Sequence, residues 1–250
     1  MASNELTPSQ NAFAAMSLSQ DELTELFKAN VGAQGLSPFL LERIKIPASG
    51  STTWLVPSLD GDVPAKDIEG VVIHKKDPRV FWIKSIKEGS AGGTPPECYS
   101  DEGIVGYGIR DLSEAPGRHD CLTTCPMGQF RRNPDGTTVP PRCSQRMALF
   151  ILRKEGVLPM MLILPPTSVQ PMLRYFTSKL MQYKKRFFAV VTSLSLEKAR
   201  NPAGQEYAKV VPSYKRDLTN EEVSQIQTYI SQIKPALDRA RIIVDEDEGE

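Results

Sequence analysis

The sequence predicts an α+β fold that is mainly β: an antiparallel barrel interrupted by a cysteine-bearing insertion and followed by a C-terminal helix. Three observations predict it. Short runs of β-branched and aromatic residues recur along most of the chain. Helical periodicity is confined to a short stretch near the start, one segment late among the strands and one after the last of them. A Gly/Pro-rich stretch over 89–145 contains all four cysteines. With 250 residues, 40% hydrophobic and 24% charged, the chain has ordinary globular composition and enough length for a substantial core.

The elements follow in order. Residues 1–19 are polar and aperiodic and are expected to be disordered. Ser19, with Asp21 and Glu22 behind it, caps a short helix with Leu23, Leu26 and Phe27 on one face. Extended segments follow through Ile44–Ile46 and Thr52–Val56. Ile68–His74 and Val80–Ile86 read as a hairpin turned at Lys75-Lys76-Asp77-Pro78-Arg79. Arg146–Arg153 and Leu158–Leu164 read as a second, turned at Lys154-Glu155-Gly156. Thr167 or Ser168 caps a helix over 169–183, Phe187–Leu196 and Tyr207–Val211 are strands, and Thr219 caps a final helix in which Pro235 is a kink or an end. A late helix among six or seven strands suits an OB-like barrel plugged at one end; an unrelated α+β sheet fits the same strand list. The expected organisation is a disordered arm over 1–19, an OB-like β domain over 20–218 with 89–145 as a zinc-binding insertion, a helix over 219–241 and an acidic tail over 242–250.

Cys98, Cys121, Cys125 and Cys143 have the spacing C-x22-C-x3-C-x17-C. The middle pair fits one knuckle of a tetrahedral thiolate site, and four thiolates close the shell of a structural Zn²⁺. The insertion has few apolar side chains, so metal binding would supply its folding free energy. Free thiols, disulfides and an iron–sulfur cluster are the competing readings, and His119 is an alternative ligand. The two histidines, His74 and His119, sit in no zinc-hydrolase or deaminase pattern, and no Walker, Rossmann or nucleophile-elbow motif occurs. The expectation is a non-enzymatic protein.

Net charge is zero, but residues 142–198 carry ten Lys/Arg against two Asp/Glu, while five of the last six residues are acidic. Basic and aromatic residues interleave at three places, as single-strand binding requires: Lys75, Lys76, Arg79, Trp82 and Lys84; Phe130, Arg131 and Arg132; and Tyr183, Lys184, Lys185, Arg186 and Phe187; Arg153 is a further candidate contact. Of Phe187 and Phe188, one at most faces a ligand if both lie in a strand. Each cluster also has a plain structural reading as core, solvated turn or helix-end charge. The start of the chain lacks the basic and apolar regions of a secretory signal, and no run approaches roughly 18 apolar residues. The expectation is a bacterial cytoplasmic location without membrane contact, where paired thiols favour metal over disulfide.

The segments EGVVIHKKDPRVFW, PPEC, CLTTCPMGQF, RMALFIL, LPMMLILPPTSVQPMLRYF and VVTSLSLEKARNPAGQEY lie in order between Ile68 and Tyr214. In these, the chain resembles uncharacterised and single-stranded-DNA-binding-like proteins of phages, plasmids and conjugative elements. It is more loosely similar to phage single-stranded-DNA-binding proteins, which join an OB-fold to an acidic tail. The resemblance implies metal-ligating cysteines and a DNA-associated role in replication or recombination, with RNA not excluded. It further implies that Asp245, Glu246, Asp247, Glu248 and Glu250 contact replication or recombination proteins. A helix directly before that tail departs from the pattern. The alternative function is a protein-interaction or regulatory factor acting on a replication or transcription enzyme.

Overall fold

The computed structural model describes residues 13–32, 41–48, 50–83, 95–201, 204–239 and 242. The helices are α1 (Gln20–Val31), α2 (Pro166–Arg174) and α3 (Asn220–Arg239). The strands are β1 (Arg43–Ile44), β2 (Trp54–Val56), β3 (Val63–Ala65), β4 (Asp67–Lys76), β5 (Arg79–Phe81), β6 (Cys98–Ser100), β7 (Val105–Gly108) and β8 (Gly117–Asp120). They continue with β9 (Arg131–Arg132), β10 (Thr138–Val139), β11 (Ser144–Gln145), β12 (Met147–Leu152), β13 (Met160–Leu164), β14 (Val190–Arg200) and β15 (Glu206–Asp217). The fold is α+β, mostly strands with a C-terminal helix.

A six-stranded sheet in the order β1-β13-β12-β4-β14-β15 organises the chain. Its pairings are antiparallel except β1 with β13. The expected barrel does not form: β1 and β15 stand at opposite edges and the sheet stays open. The reason lies in β12, Met-Ala-Leu-Phe-Ile-Leu, which is buried at every position. Alternate side chains of a strand point to opposite faces, so such a strand needs a cover on both sides. Ala148, Phe150 and Leu152 pack under α3, through Ile226, Tyr229, Ile233 and Leu237, and with Leu23 of α1. Met147, Leu149 and Ile151 pack with Trp54 and Val56 of the β2–β3 hairpin and with Val169 and Met172 of α2. Gly70 of β4 is required where β12 crosses closely, since a Cβ there would lie 2.7 Å from the Leu152 carbonyl oxygen.

Residues 13–18, expected within the disordered arm, are ordered: Phe13 and Ala15 are buried, and Ala14 N–H donates to the Lys154 carbonyl at 2.8 Å. The first expected hairpin is also corrected. β4 does not turn back at Lys75-Lys76 but runs on through Asp77-Pro78 into β5, which belongs to another sheet. β4 pairs with β12 and β14, and β5 pairs with β11 and β6. Pro78 has no N–H for a ladder, and its carbonyl instead accepts from Arg146 N–H at 2.9 Å where the two ribbons change sheet. The β12–β13 hairpin forms as expected.

The central helix begins earlier than its expected cap, with Pro166 as its first residue after Pro165. Ser168 Oγ accepts the Val210 N–H at 3.0 Å. That N–H lies outside the β14 ladder, and by alternation so does position 212, where Pro212 has no N–H to offer. The outer edge of β15 is thereby blunted against further pairing. After α2 the chain passes through a π-helical segment (Tyr175–Leu180) and a 3-10 turn (Met181–Tyr183). Lys184 ends it at φ 56°, the one left-handed non-glycine among the described residues. The expected strand at Phe187 starts instead at Val190, after a 3-10 turn over Phe187–Ala189.

Both outer helices start as expected. Ser19 and Glu22 form a reciprocal capping box, and α3 runs on past Pro235 to Arg239. At the start of α3, Thr219 N–H donates to Glu222 at 2.8 Å, and Arg216 grips the same carboxylate with two bonds of 2.9 Å. The Arg216 bonds first, and the Thr219 bonds with them, hold the Glu222 carboxyl below its ordinary 4.5 against the opposing effect of burial. A carboxyl lowered in the folded state stabilises the fold above its unfolded value, and that stabilisation is lost as pH falls through the folded value. Glu222→Gln is therefore expected to cost about 1–2 kcal/mol at neutral pH. In urea unfolding, its difference from the parent chain should narrow well below pH 4.5. An equal cost at both pH values would exclude the ionised pair as the cause. Among the described residues, no helix is long and apolar enough to cross a membrane.

Candidate metal centre and nucleic-acid interface

A second sheet, β11-β5-β6-β7-β8, has Cys98 on β6 and the other cysteines in the segments that follow β8 and precede β11, and β9–β10 form a separate hairpin. Cys98 opens β6 opposite Phe81 and Gly108. Gly106, inward-facing on β7, makes room for two sulfurs: a Cβ there would lie 3.1 Å from Cys121 Sγ and 3.2 Å from Cys98 Sγ. Cys121 leaves β8 with its N–H on the Ile104 carbonyl at 2.9 Å, and the Cys125 N–H returns to Asp120 O at 3.0 Å. The Asp120 carboxylate fixes this five-residue turn by accepting from Leu122 N–H, Thr123 N–H and the Thr123 hydroxyl. Cys143 is tied to the same knuckle through its N–H to Met127 O at 2.8 Å. The backbone thus delivers all four cysteines to one end of the small sheet.

Cys98, Cys121 and Cys125 are buried and Cys143 is partly so. Burial pushes the Cys98 thiol up to about 11 and the Cys143 thiol up to about 12, and it raises Cys121 as well. Neighbouring thiolates raise them further. Across the cluster, every pairing of the four sulfurs is near enough for one charge to be felt by the other. Arg79 opposes this at Cys121 and Cys143, and Arg110 at Cys98. Such a cluster disfavours ionisation unless a cation joins it, which is the condition a structural metal meets. Among the described residues, no three or more His, Cys, Asp or Glu side chains stand in the geometry of a formed metal site. The four thiols match a closed thiolate shell in number and chemistry, although they do not stand in its geometry here. His119 is buried and has Nε2 on the Gly108 carbonyl at 2.9 Å, a bond that already engages it.

The basic-aromatic residues of the first cluster are mostly committed elsewhere. Lys75 pairs with Asp77. Lys76, 1% exposed, donates to the Asp238 carbonyl at 2.7 Å and lies 3.7 Å from Glu102. Arg79 runs past Gly128 beneath the cysteine knuckle, where a Cβ would meet its Nη1 at 2.9 Å. Trp82 packs against the α3-side core. The expected hairpin tip is instead a crossing between two sheets, where Lys76 is buried and Lys75, Arg79 and Trp82 are partly so. Lys84 lies outside the described residues, as do Asp245, Glu246, Asp247, Glu248 and Glu250. Arg153 is partly buried, 3.6 Å from Glu155.

The other two clusters differ. Phe130 is 71% exposed, with Arg131 and Arg132 exposed on β9. Tyr183 is 68% exposed, and Lys184 and Arg186 are exposed beside it. Lys185 is bound to both Asp217 oxygens at 2.5 Å and lies 5.3 Å from the Tyr214 ring centroid. Arg186 lies over the Phe188 ring at 5.7 Å. Phe187 is half-buried and packs against Phe176 in the α2-side core, so it is removed from the surface set. Tyr214, Arg174 and Lys179 are exposed on elements of the same region and were not singled out from the sequence. The signal for the two cations was available: no acid occurs between Glu155 and Glu197. Protein-family models, curated proteins and solved structures were compared with the chain, and none matches it.

Proposed function

We propose that this chain binds single-stranded DNA with little sequence preference, in support of the replication or recombination of a phage or mobile element. In the same reading, Cys98, Cys121, Cys125 and Cys143 hold a structural Zn²⁺ that fixes the small sheet. The observation that carries the DNA reading is the surface at the end of the central helix. There the left-handed turn at Lys184 sets an exposed tyrosine among Lys184 and Arg186, in an acid-free stretch from 156 to 196. Bases of any identity stack on an exposed ring, and cations beside it meet the phosphates, so the chemistry is sequence-tolerant. The role is binding rather than catalysis, with the acidic residues 245–250 as the contact for replication or recombination proteins.

The test is a titration of a labelled single-stranded oligonucleotide into the zinc-loaded chain, at low and at physiological salt. Binding that weakens as salt rises, and is alike for unrelated sequences, is the expected result. Absence of binding at low salt rejects the reading. It would turn attention to a protein-interaction factor, for which the exposed Ile104, Leu112 and Leu122 of the cysteine-bearing sheet speak.

A further inference from the structure

Tyr214 stands where β15 meets the end of the central helix. It lies directly opposite Thr192 of β14, and directly opposed residues share a face of the sheet. Thr192 bonds the Tyr175 hydroxyl at 3.0 Å, so that face is the one covered by α2 and the π-helical segment. The cover is incomplete here, and Tyr214 is 46% exposed. Lys185 reaches it from the loop: its ammonium lies 5.3 Å from the ring centroid and is bound to both oxygens of Asp217. Lys185 first, and the Tyr214 hydroxyl with it, holds the Asp217 carboxyl below its ordinary value, so phenol and carboxylate stand close. The ring is thereby fixed against the side chain whose chain neighbours are Lys184 and Arg186.

The charge around this ring is positive. Residues 166–189, which include α2, the π-helical segment and the loop, carry five Lys/Arg and no acid. The acid that comes against them from β15 is Asp217, and Lys185 neutralises it. The acids of β4 lie elsewhere: Glu69 is opposite Ser193 and Asp67 opposite Ser195, so by alternation both belong to the other face of the sheet. There Glu69 is paired with Lys215 at 2.7 Å, and Glu222 of α3 is paired with Arg216. Glu206, at the far end of the β14–β15 hairpin, is paired with Lys198 and Arg200. Lys184 and Arg186 have no acid partner among the described residues.

We infer that Tyr214 is a second stacking ring of the Tyr183–Arg186 surface, and that Lys185 is its positioning residue rather than a phosphate contact. One base lies on Tyr183 and another base of the same strand on Tyr214, while Lys184 and Arg186 meet phosphates beside them. A ring already held by Lys185 and by the β14 ladder loses little freedom when a base stacks on it. The inference rests on the proposed single-strand binding and extends that site from the turn after α2 onto strand β15.

The experiment titrates the full zinc-loaded chain against a labelled oligothymidylate at several salt concentrations, with thermal melts to verify that each variant folds. Tyr214→Ala should weaken binding roughly tenfold and leave the salt slope unchanged, because a ring releases no counterions. Tyr214→Phe should bind like the parent chain, because the ring and not the hydroxyl meets the base. Lys185→Met should lower affinity with the slope again unchanged; a lowered slope would make Lys185 a phosphate contact and overturn its positioning role. If the parent chain fails to bind at all, the proposed function falls and this inference with it. If the parent chain binds while a folded Tyr214→Ala binds equally well, only the second ring is overturned. Where Tyr214→Ala does not fold, photocrosslinking of the unsubstituted chain to an oligonucleotide carrying 5-iododeoxyuridine decides instead. The crosslinked peptides should then include Tyr214, and a map without it overturns the second ring.

Discussion

Chelating zinc from the loaded chain is expected to unfold residues 95–146 while the six-stranded sheet stays folded. The two parts are held together by different means. The large sheet and the elements packed on it have Trp54, Val71, Phe150, Leu152, Leu162 and Met172 at 2% exposure or less, in two apolar clusters. The small sheet buries Val80, Phe81 and Tyr99 beside three cysteines, and Val80 and Tyr99 belong to the α3-side cluster rather than to a core of its own. Structural zinc in a four-ligand site contributes roughly 10–16 kcal/mol in small peptides, far more than the few side chains here supply. Cys121→Ser should therefore lose stoichiometric zinc, and amide protection should vanish across β6, β7 and β8. The loss should spread to one distant place. Tyr99 hydroxyl accepts the Ile242 N–H at 3.0 Å, and Lys76, beside Glu102, holds the last turn of α3 through the Asp238 carbonyl. Ile242 is expected to lose protection together with the small sheet while Ile226 and Tyr229 keep theirs. Hydrogen exchange with and without chelator, alongside metal analysis, decides the matter. Zinc content near zero in the purified chain, with the small sheet protected regardless, would remove the metal from the account.

Much of the architecture is written in short-range signals, and these were legible. Ser19 with Glu22 caps α1, Thr219 with Glu222 caps α3, and Lys154-Glu155-Gly156 turns the β12–β13 hairpin. What was not legible depends on partners distant in the chain. Lys75-Lys76-Asp77-Pro78 has the composition of a turn, yet Lys76 is buried because Asp238, 162 residues away, offers a carbonyl to its ammonium. The same blindness put Arg79 on the surface, when its guanidinium threads beneath the cysteine knuckle. A barrel and a two-faced open sheet share one strand list, and only the cover on both sides of β12 separates them. For the candidate sites, cysteine spacing marked the thiol cluster.

Replacing Lys184 and Arg186 together with alanine is expected to weaken single-strand binding on every sequence and to flatten its salt dependence. The argument starts from what these side chains are not doing. Lys185, between them, is bound to Asp217 and faces Tyr214, so it builds the loop, and Asp217 is held below its ordinary value chiefly by that lysine. Lys184 has no ion pair among the described residues, and Arg186 has only the Phe188 ring beneath it. Each is free to displace counterions from a phosphate. Every phosphate contact removed from a single strand lowers the slope of log K against log salt by about 0.7, so the double variant should lose about 1.4. Tyr183→Ala should act differently, costing roughly 1–3 kcal/mol by loss of a stacked base while leaving the slope unchanged. Lys185→Ala, by breaking the Asp217 pair, should lower thermal stability as well as affinity, which separates a building residue from a binding one. Titrations at several salt concentrations, with thermal melts beside them, read all three. A slope unaltered by the double substitution would move the phosphate contacts off this surface, and an altered slope with Tyr183→Ala alone would mean that the ring orders the cations rather than stacking on a base.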